Sequence, residues 1–203
     1  MRIPYTPSPP QPASPEDEAI VSRIAARRAP RPLQPLDLAL LHAPPVADGW
    51  NAFLGAVRTR TTVAAALREL AVCRVAVCNG AWYEWAHHAP LARAAGVGER
   101  GMEVCRREVL VGGDGDGDGD GGEEDDRGGL GDREWVVLRY ADEMTRRVRV
   151  SDELFAELRG LLSEREIVEI TAIVAAYNCV SRFLVALDVG ERNNTGPDDV
   201  PGH

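Results

Sequence analysis

The chain has 203 residues, 44% of them apolar and 5% aromatic, enough to bury the core of one domain. Its net charge of −9 is local: residues 114–126, DGDGDGDGGEEDD, hold eight acids and no base, and without them the charge is −1. No basic patch is left to hold a nucleic-acid backbone, and no apolar run approaches the ~18 residues of a membrane span.

The opening MRIPYTPSPPQPASPEDEA carries prolines where a signal peptide would be hydrophobic. It reads as an extended tail, which makes the cytoplasm the expected compartment. Ser14-Pro15-Glu16-Asp17 has the form of an N-cap, a proline at the first helical position and acids in the first turn, and predicts a short helix to about residue 28. Residues 1–30 are therefore a Pro-rich tail with one helix. Proline punctuates residues 30–45 and leaves the short helical piece LDLALLHA. Asp48 then caps a segment with Trp50, Phe53, Leu54 and Val57 at helical spacing.

Residues 61–78, TTVAAALRELAVCRVAVC, predict a helix that is apolar almost all round. Val63, Leu67, Leu70, Ala71, Val77 and Cys78 fall on one face, and Ala65, Val72 and Ala76 on the other. Such a helix belongs at the centre of a bundle or between subunits. Asn79-Gly80 breaks it, and a second helix spans residues 81–95 until Gly96.

The acidic insertion, residues 112–131, follows. Asp114, Asp116, Asp118 and Gly119 match the opening of an EF-hand loop, but Asp125 stands where the bidentate glutamate is needed. The stretch reads as a solvated low-complexity loop instead. Helices are then expected over residues 132–147, after the Ser151 cap, and from the capping box Ser163-x-x-Glu166 onward. The last carries Ile167, Ile170, Val174, Tyr177, Ser181 and Leu184 on one stripe. No segment alternates as a strand does, so residues 31–190 read as one all-α domain, with 191–203 a polar tail.

Chemistry concentrates in WYEWAHH, residues 82–88. Glu84 and His88 are four apart on one helical face, where a carboxylate orients an imidazole that titrates near neutrality. Tyr83 and His87 form a second such pair, and Trp82 and Trp85 anchor the helix. Glu69 sits among Ala65, Ala66, Val72 and Cys73, an apolar setting that raises a carboxyl pKa; a structural pairing with arginine is the alternative. Arg74 is similarly enclosed and needs an anionic partner. Neither a repeated Glu-x-x-His nor a His-x-x-x-His spacing is present, so no metal is expected. Cys73, Cys78, Cys105 and Cys179 make no CxxC pair and read as free, buried thiols.

The run LRELAVCRVAVCNGAWYEWAHHAPLARAAG, with Arg68-Glu69-Leu70, Tyr83-Glu84-Trp85, His88 and Ala95-Gly96, resembles the core of the carboxymuconolactone decarboxylase-like family, related to the alkylhydroperoxidase D proteins. AAYNCVSRFLVAL, residues 175–187, resembles a recurrent ending of its members. The resemblance implies an all-α, alkylhydroperoxidase D-like helical bundle assembled as a dimer, trimer or hexamer. In the hydroperoxidase branch a glutamate, a Cys-x-x-Cys pair and a histidine form the active centre. Glu69 and His88 match the outer two, but Ala81 and Glu84 stand at the cysteine positions, so the dithiol cycle cannot run there.

The decarboxylase branch needs neither thiol, cofactor nor metal. It implies a cytoplasmic, homo-oligomeric lyase acting by decarboxylation or proton transfer on a small carboxylated lactone or enone, without nucleic-acid or membrane partners. Glu69, Glu84 and His88 would be its proton carriers, and Tyr83, His87 and Arg74 would line the substrate, Arg74 holding a carboxylate. A peroxidase using a relocated cysteine and a non-catalytic oligomeric scaffold stand as alternatives. Tyr177 and Asn178 fit either pocket or core.

Overall fold

The computed structural model describes residues 1–110 and 127–199, so the acidic run 114–126 and its calcium reading lie outside the described residues. Among the described residues the chain forms helices and no strand. They are α1 (Pro15–Arg28), α2 (Pro35–Leu40), α3 (Pro44–Thr59), α4 (Ala65–Cys78), α5 (Trp82–Ala94), α6 (Glu99–Arg106), α7 (Asp132–Arg147), α8 (Asp152–Leu161) and α9 (Glu164–Leu187).

Local chemistry sets most of these limits. Ser14 caps α1 by accepting from the Asp17 N–H, and Ser163 and Glu166 close the capping box of α9. Asp48 does not cap α3. Pro44 and Pro45 start that helix earlier, because their fixed φ and missing N–H suit a first turn; Asp48 lies within it and pairs with Arg23 of α1 at 2.9 Å. α4 begins at Ala65, not at 61. Glu169 of α9 draws the preceding segment out of helix by accepting from the backbone N–H groups of Thr62 (2.7 Å) and Val63 (3.0 Å). α6 was not expected. Four of its eight residues are charged, which hides the buried Met102, Val104 and Cys105.

α4 is the centre of the bundle, packed against α5, α6, α7 and α9. One core gathers Leu67, Val72, Val137, Ile170, Ile173 and Val174 between α4, α7 and α9. A second gathers Leu70, Cys73, Trp85, Met102 and Leu138 between α4, α5, α6 and α7. Leu70 has no exposed surface, so truncation to alanine there costs about 2–5 kcal/mol. A helix apolar on every side is what two cores require, since each uses a different face of it.

At 24 residues, α9 is long and apolar enough to cross a membrane, contrary to the sequence expectation that no run reaches that length. Here it is a core helix, burying Ile170, Ile173, Val174, Tyr177, Ser181 and Leu184. The Pro-rich start forms no helix before Pro15, and it is held to the bundle: Arg2 N–H donates to the Leu187 carbonyl, Thr6 Oγ to that of Leu38, and Gly190 N–H to the Tyr5 hydroxyl. Gly190 has φ 75°, and a Cβ there would lie 2.3 Å from the Tyr83 ring, so no other residue fits the turn after α9.

Candidate active site

The turn between α4 and α5 sets the register of the site. Gly80 takes φ 61° and reverses the chain. Glu69 lies ten residues before Asn79 and His88 eight after Gly80, so at ~1.5 Å per residue both stand roughly 12–15 Å from the turn, side by side. α9 runs antiparallel to α5 in matching steps of four. His88 meets Tyr177, and one turn nearer the α4–α5 bend Glu84 meets Ser181.

Glu69 and His88 are in direct contact, Oε2 to Nδ1 at 2.6 Å, with only 5% and 6% of their surfaces exposed. Burial pushes the Glu69 carboxyl up. The hydrogen bond and charge of His88 and those of Arg68, whose Nε donates to Oε1 at 3.1 Å, outweigh it and hold the group below the usual carboxylate range. This reverses the raised value expected from the apolar neighbours of Glu69. Burial pushes the His88 imidazole down, and Glu69 restores part of that. At neutral pH the pair is thus a carboxylate accepting from the Nδ1–H of a neutral imidazole. That bond fixes the tautomer, leaving Nε2 as a free base.

Nε2 makes no hydrogen bond, nor does the Tyr177 hydroxyl. Among the described residues, Asn51 Oδ1 is the one fully buried side-chain N or O atom without a partner, so Nε2 and the hydroxyl both keep contact with solvent. The His88 and Tyr177 rings meet edge-on with centroids 4.9 Å apart. Burial raises the Tyr177 phenol above its ordinary value, so it stays a donor.

Glu84 does not orient His88. Its carboxyl is buried against Ser181 Oγ, 3.0 and 3.1 Å from its two oxygens, and loss of hydration raises it well above the carboxylate range. It lies one turn from His88, and its burial favours the protonated form. A shared helical face brought the two into line, but the closer carboxylate comes from α4.

Arg74 finds the anion it needs, but away from this pair. Nε donates to Asp142 at 2.8 Å, and Nη1 to the carbonyls of Cys105 (2.8 Å) and Arg107 (2.6 Å). The guanidinium ties α4 to the end of α6 and to α7, and the structure gives it no place among substrate contacts. Tyr83 and His87 stack with centroids 4.4 Å apart; Tyr83 is packed under Gly190, and His87 is exposed. Trp85 is buried and donates to the Pro197 carbonyl at 3.0 Å.

The four cysteines are free, but Cys179 is exposed and Cys78 only half-buried, against the expectation that all are buried. Burial raises the thiols of Cys73, Cys78 and Cys105, the last two to about 12. Among the described residues no three His, Cys, Asp or Glu side chains gather as a metal site requires.

Sequence reasoning missed Arg68 as a partner of Glu69, because adjacent helical residues do not face one another. Ser181 carried a usable signal. It follows Tyr177 by four on α9, as His88 follows Glu84 on α5, a matched spacing on two helices.

Residues 44–113, from α3 through α6, match the family model described as "Carboxymuconolactone decarboxylase family", and the resemblance read from residues 67–96 lies inside that span. No curated protein matches the chain. Solved structures share its fold. An uncharacterized peroxidase-related protein from Silicibacter sp. TM1040 aligns with TM-score 0.67 and 16% identity over 95% of each chain. The debrominase Bmp8, a cysteine-to-alanine variant in complex with 2,3,4-tribromopyrrole, aligns with TM-score 0.66 and 16% identity over 94% of this chain and 96% of its own. A protein of unknown function from Agrobacterium tumefaciens, assigned provisionally to antioxidant defence as AhpD, aligns with TM-score 0.58 and 20% identity over 80% of this chain and 94% of its own. The chain has the all-α, alkylhydroperoxidase D-like fold.

Proposed function

On a carboxymuconolactone decarboxylase-like scaffold, we propose a cofactor-independent enzyme that moves a proton on a small carboxylated lactone or enone, by decarboxylation or by proton transfer alone. The observation behind it is the buried 2.6 Å contact between Glu69 and His88 with Nε2 left unpaired. Neutral Nε2 takes a proton from carbon beside a carbonyl, and the Glu69 carboxylate stabilises the imidazolium formed. The proton then returns to a second carbon of the same molecule. In decarboxylation the order differs. The bond to the departing carbon dioxide breaks first, its electron pair stays as an enolate, and imidazolium charged from solvent protonates the carbon left behind.

Glu84 is not in contact with this pair; Ser181 holds it one turn away. Thiol chemistry of the kind the neighbours' names suggest finds less support, because Cys73, Cys78 and Cys105 are held as thiols. The proposal includes a homo-oligomer in the cytoplasm. Val46 and Phe53, exposed one above the other on α3, favour association of copies.

The test is a screen of the purified protein against carboxylated lactones and β-keto acids for loss of carbon dioxide by mass spectrometry. Solvent-deuterium uptake is read in parallel to catch proton transfer alone. His88→Ala is expected to lower turnover by about 10²–10⁴-fold. Full turnover in that variant ends the proposal.

A further inference from the structure

Arg58, in the last turn of α3, is half-buried yet makes neither a hydrogen bond nor an ion pair. Among the described residues every other arginine that is not exposed has a partner: Arg28 has Asp37, Arg68 has Glu69, Arg106 has Asp198, Arg127 has Asp132, Arg74 and Arg139 have acids, Arg192 has a carbonyl, and Arg107 is likewise engaged. A guanidinium drawn partly out of water without an anion is costly, so its partner is to be sought outside the fold.

Its neighbourhood says what that partner is. Val57, beside it, belongs to the same core as Tyr177, and α3 packs on α9. The positive charge of Arg58 reaches the Tyr177 hydroxyl and the His88 imidazole, as it also reaches His87 and Arg27. Tyr177 is 2% exposed, its hydroxyl is unpartnered, and its ring lies edge-on to His88 at 4.9 Å. Three polar groups from three helices are thus unsatisfied together: two donors, Arg58 and Tyr177, and one acceptor, Nε2. The complement is an anionic oxygen attached to a carbon that carries a transferable proton.

We infer that the Arg58 guanidinium and the Tyr177 hydroxyl form the anion-holding half of the Glu69–His88 site, binding a substrate's carboxylate or developing enolate oxygen. Arg58 supplies the fixed charge that Arg74, spent on Asp142, does not. Tyr177 donates to the same oxygen and aligns the adjoining carbon with Nε2. The inference rests on the proton-transfer reading of that site.

Acetate and benzoate serve as probes, with benzamide as the neutral counterpart. Binding is followed in the full-length protein by calorimetry and by the ring resonances of His88. The wild type is expected to bind the anions, to shift the His88 signals on doing so, and to ignore benzamide. Arg58→Gln weakens benzoate at least tenfold, Arg58→Lys by less, and Tyr177→Phe several-fold. Wild type that binds neither anion, equal binding of benzamide and benzoate, or Arg58→Gln with unchanged affinity overturns the inference. The last result would make Arg58 no more than the charge that complements the C-terminus of α3. A Glu69→Gln comparison separates the two levels. If that variant alters the His88 titration while no anion binds, the anion-holding half fails and the proton pair stands; if it does not, the pair itself fails.

Discussion

Replacing Glu69 by glutamine keeps the shape of the side chain and an oxygen for the His88 Nδ1–H, but removes the charge. In the native protein that carboxylate accepts from His88 at 2.6 Å and from Arg68 at 3.1 Å, inside a site with 5–6% exposure. A hydrogen bond to a charged group in such a place is worth about 1.5–3 kcal/mol. Imidazolium formation at His88 loses that support, so turnover is expected to fall roughly 10–150-fold with the His88 tautomer intact.

The pH dependence has a definite sign. Burial already lowers the His88 imidazole below 6.5, and without Glu69 it falls further. The neutral ring is unaffected above 6.5. Below that value the unfolded chain binds a proton that the folded chain refuses, so stability drops as the pH is lowered, over a wider window in the variant. Glu69 itself is held below its ordinary 4.5, so its contribution is complete above that value and is lost as pH falls through the native one; the variant lacks this second loss. Nuclear magnetic resonance titration of the histidine ring, alongside urea denaturation across acid pH, measures both. A His88 titration that stays put or moves upward in Glu69→Gln would refute the reasoning.

Glu84→Gln acts in the opposite direction. Burial raises the Glu84 carboxyl far above 4.5, so from 4.5 upward the unfolded chain ionises a group that the folded chain keeps protonated, and native stability declines with pH. The glutamine variant is expected to be the more stable, with a thermal midpoint gap that widens as pH rises above 4.5; a gap that narrows would contradict it. Arg74→Met leaves Asp142 to Arg146 alone, at 2.9 Å, and strips two carbonyls of their donor, and should cost about 1–3 kcal/mol in urea denaturation for each carbonyl left unpaired. With Ellman's reagent at neutral pH, Cys179 should react at once, half-buried Cys78 more slowly, and Cys73 and Cys105 only as the protein unfolds; rapid reaction of three or more thiols would contradict this.

The helices were largely legible along the chain because their signals are local. Caps, prolines and Asn79-Gly80 act on their own neighbours, and the all-round apolarity of residues 61–78 already called for the centre of a bundle or a place between subunits. Where the limits shifted, at Thr62, the cause was Glu169, more than a hundred residues away. The pairing of charges was a different matter. Spacing on α5 put Glu84 beside His88, yet the fold buried Glu84 against Ser181, and Glu69 from α4 supplied the carboxylate. Nothing in the sequence distinguishes Arg74, consumed by Asp142, from Arg58, which has no acid to meet. A side chain's charge state and partner depend on what else the fold removes from water around it, and that is settled only when distant helices close over it.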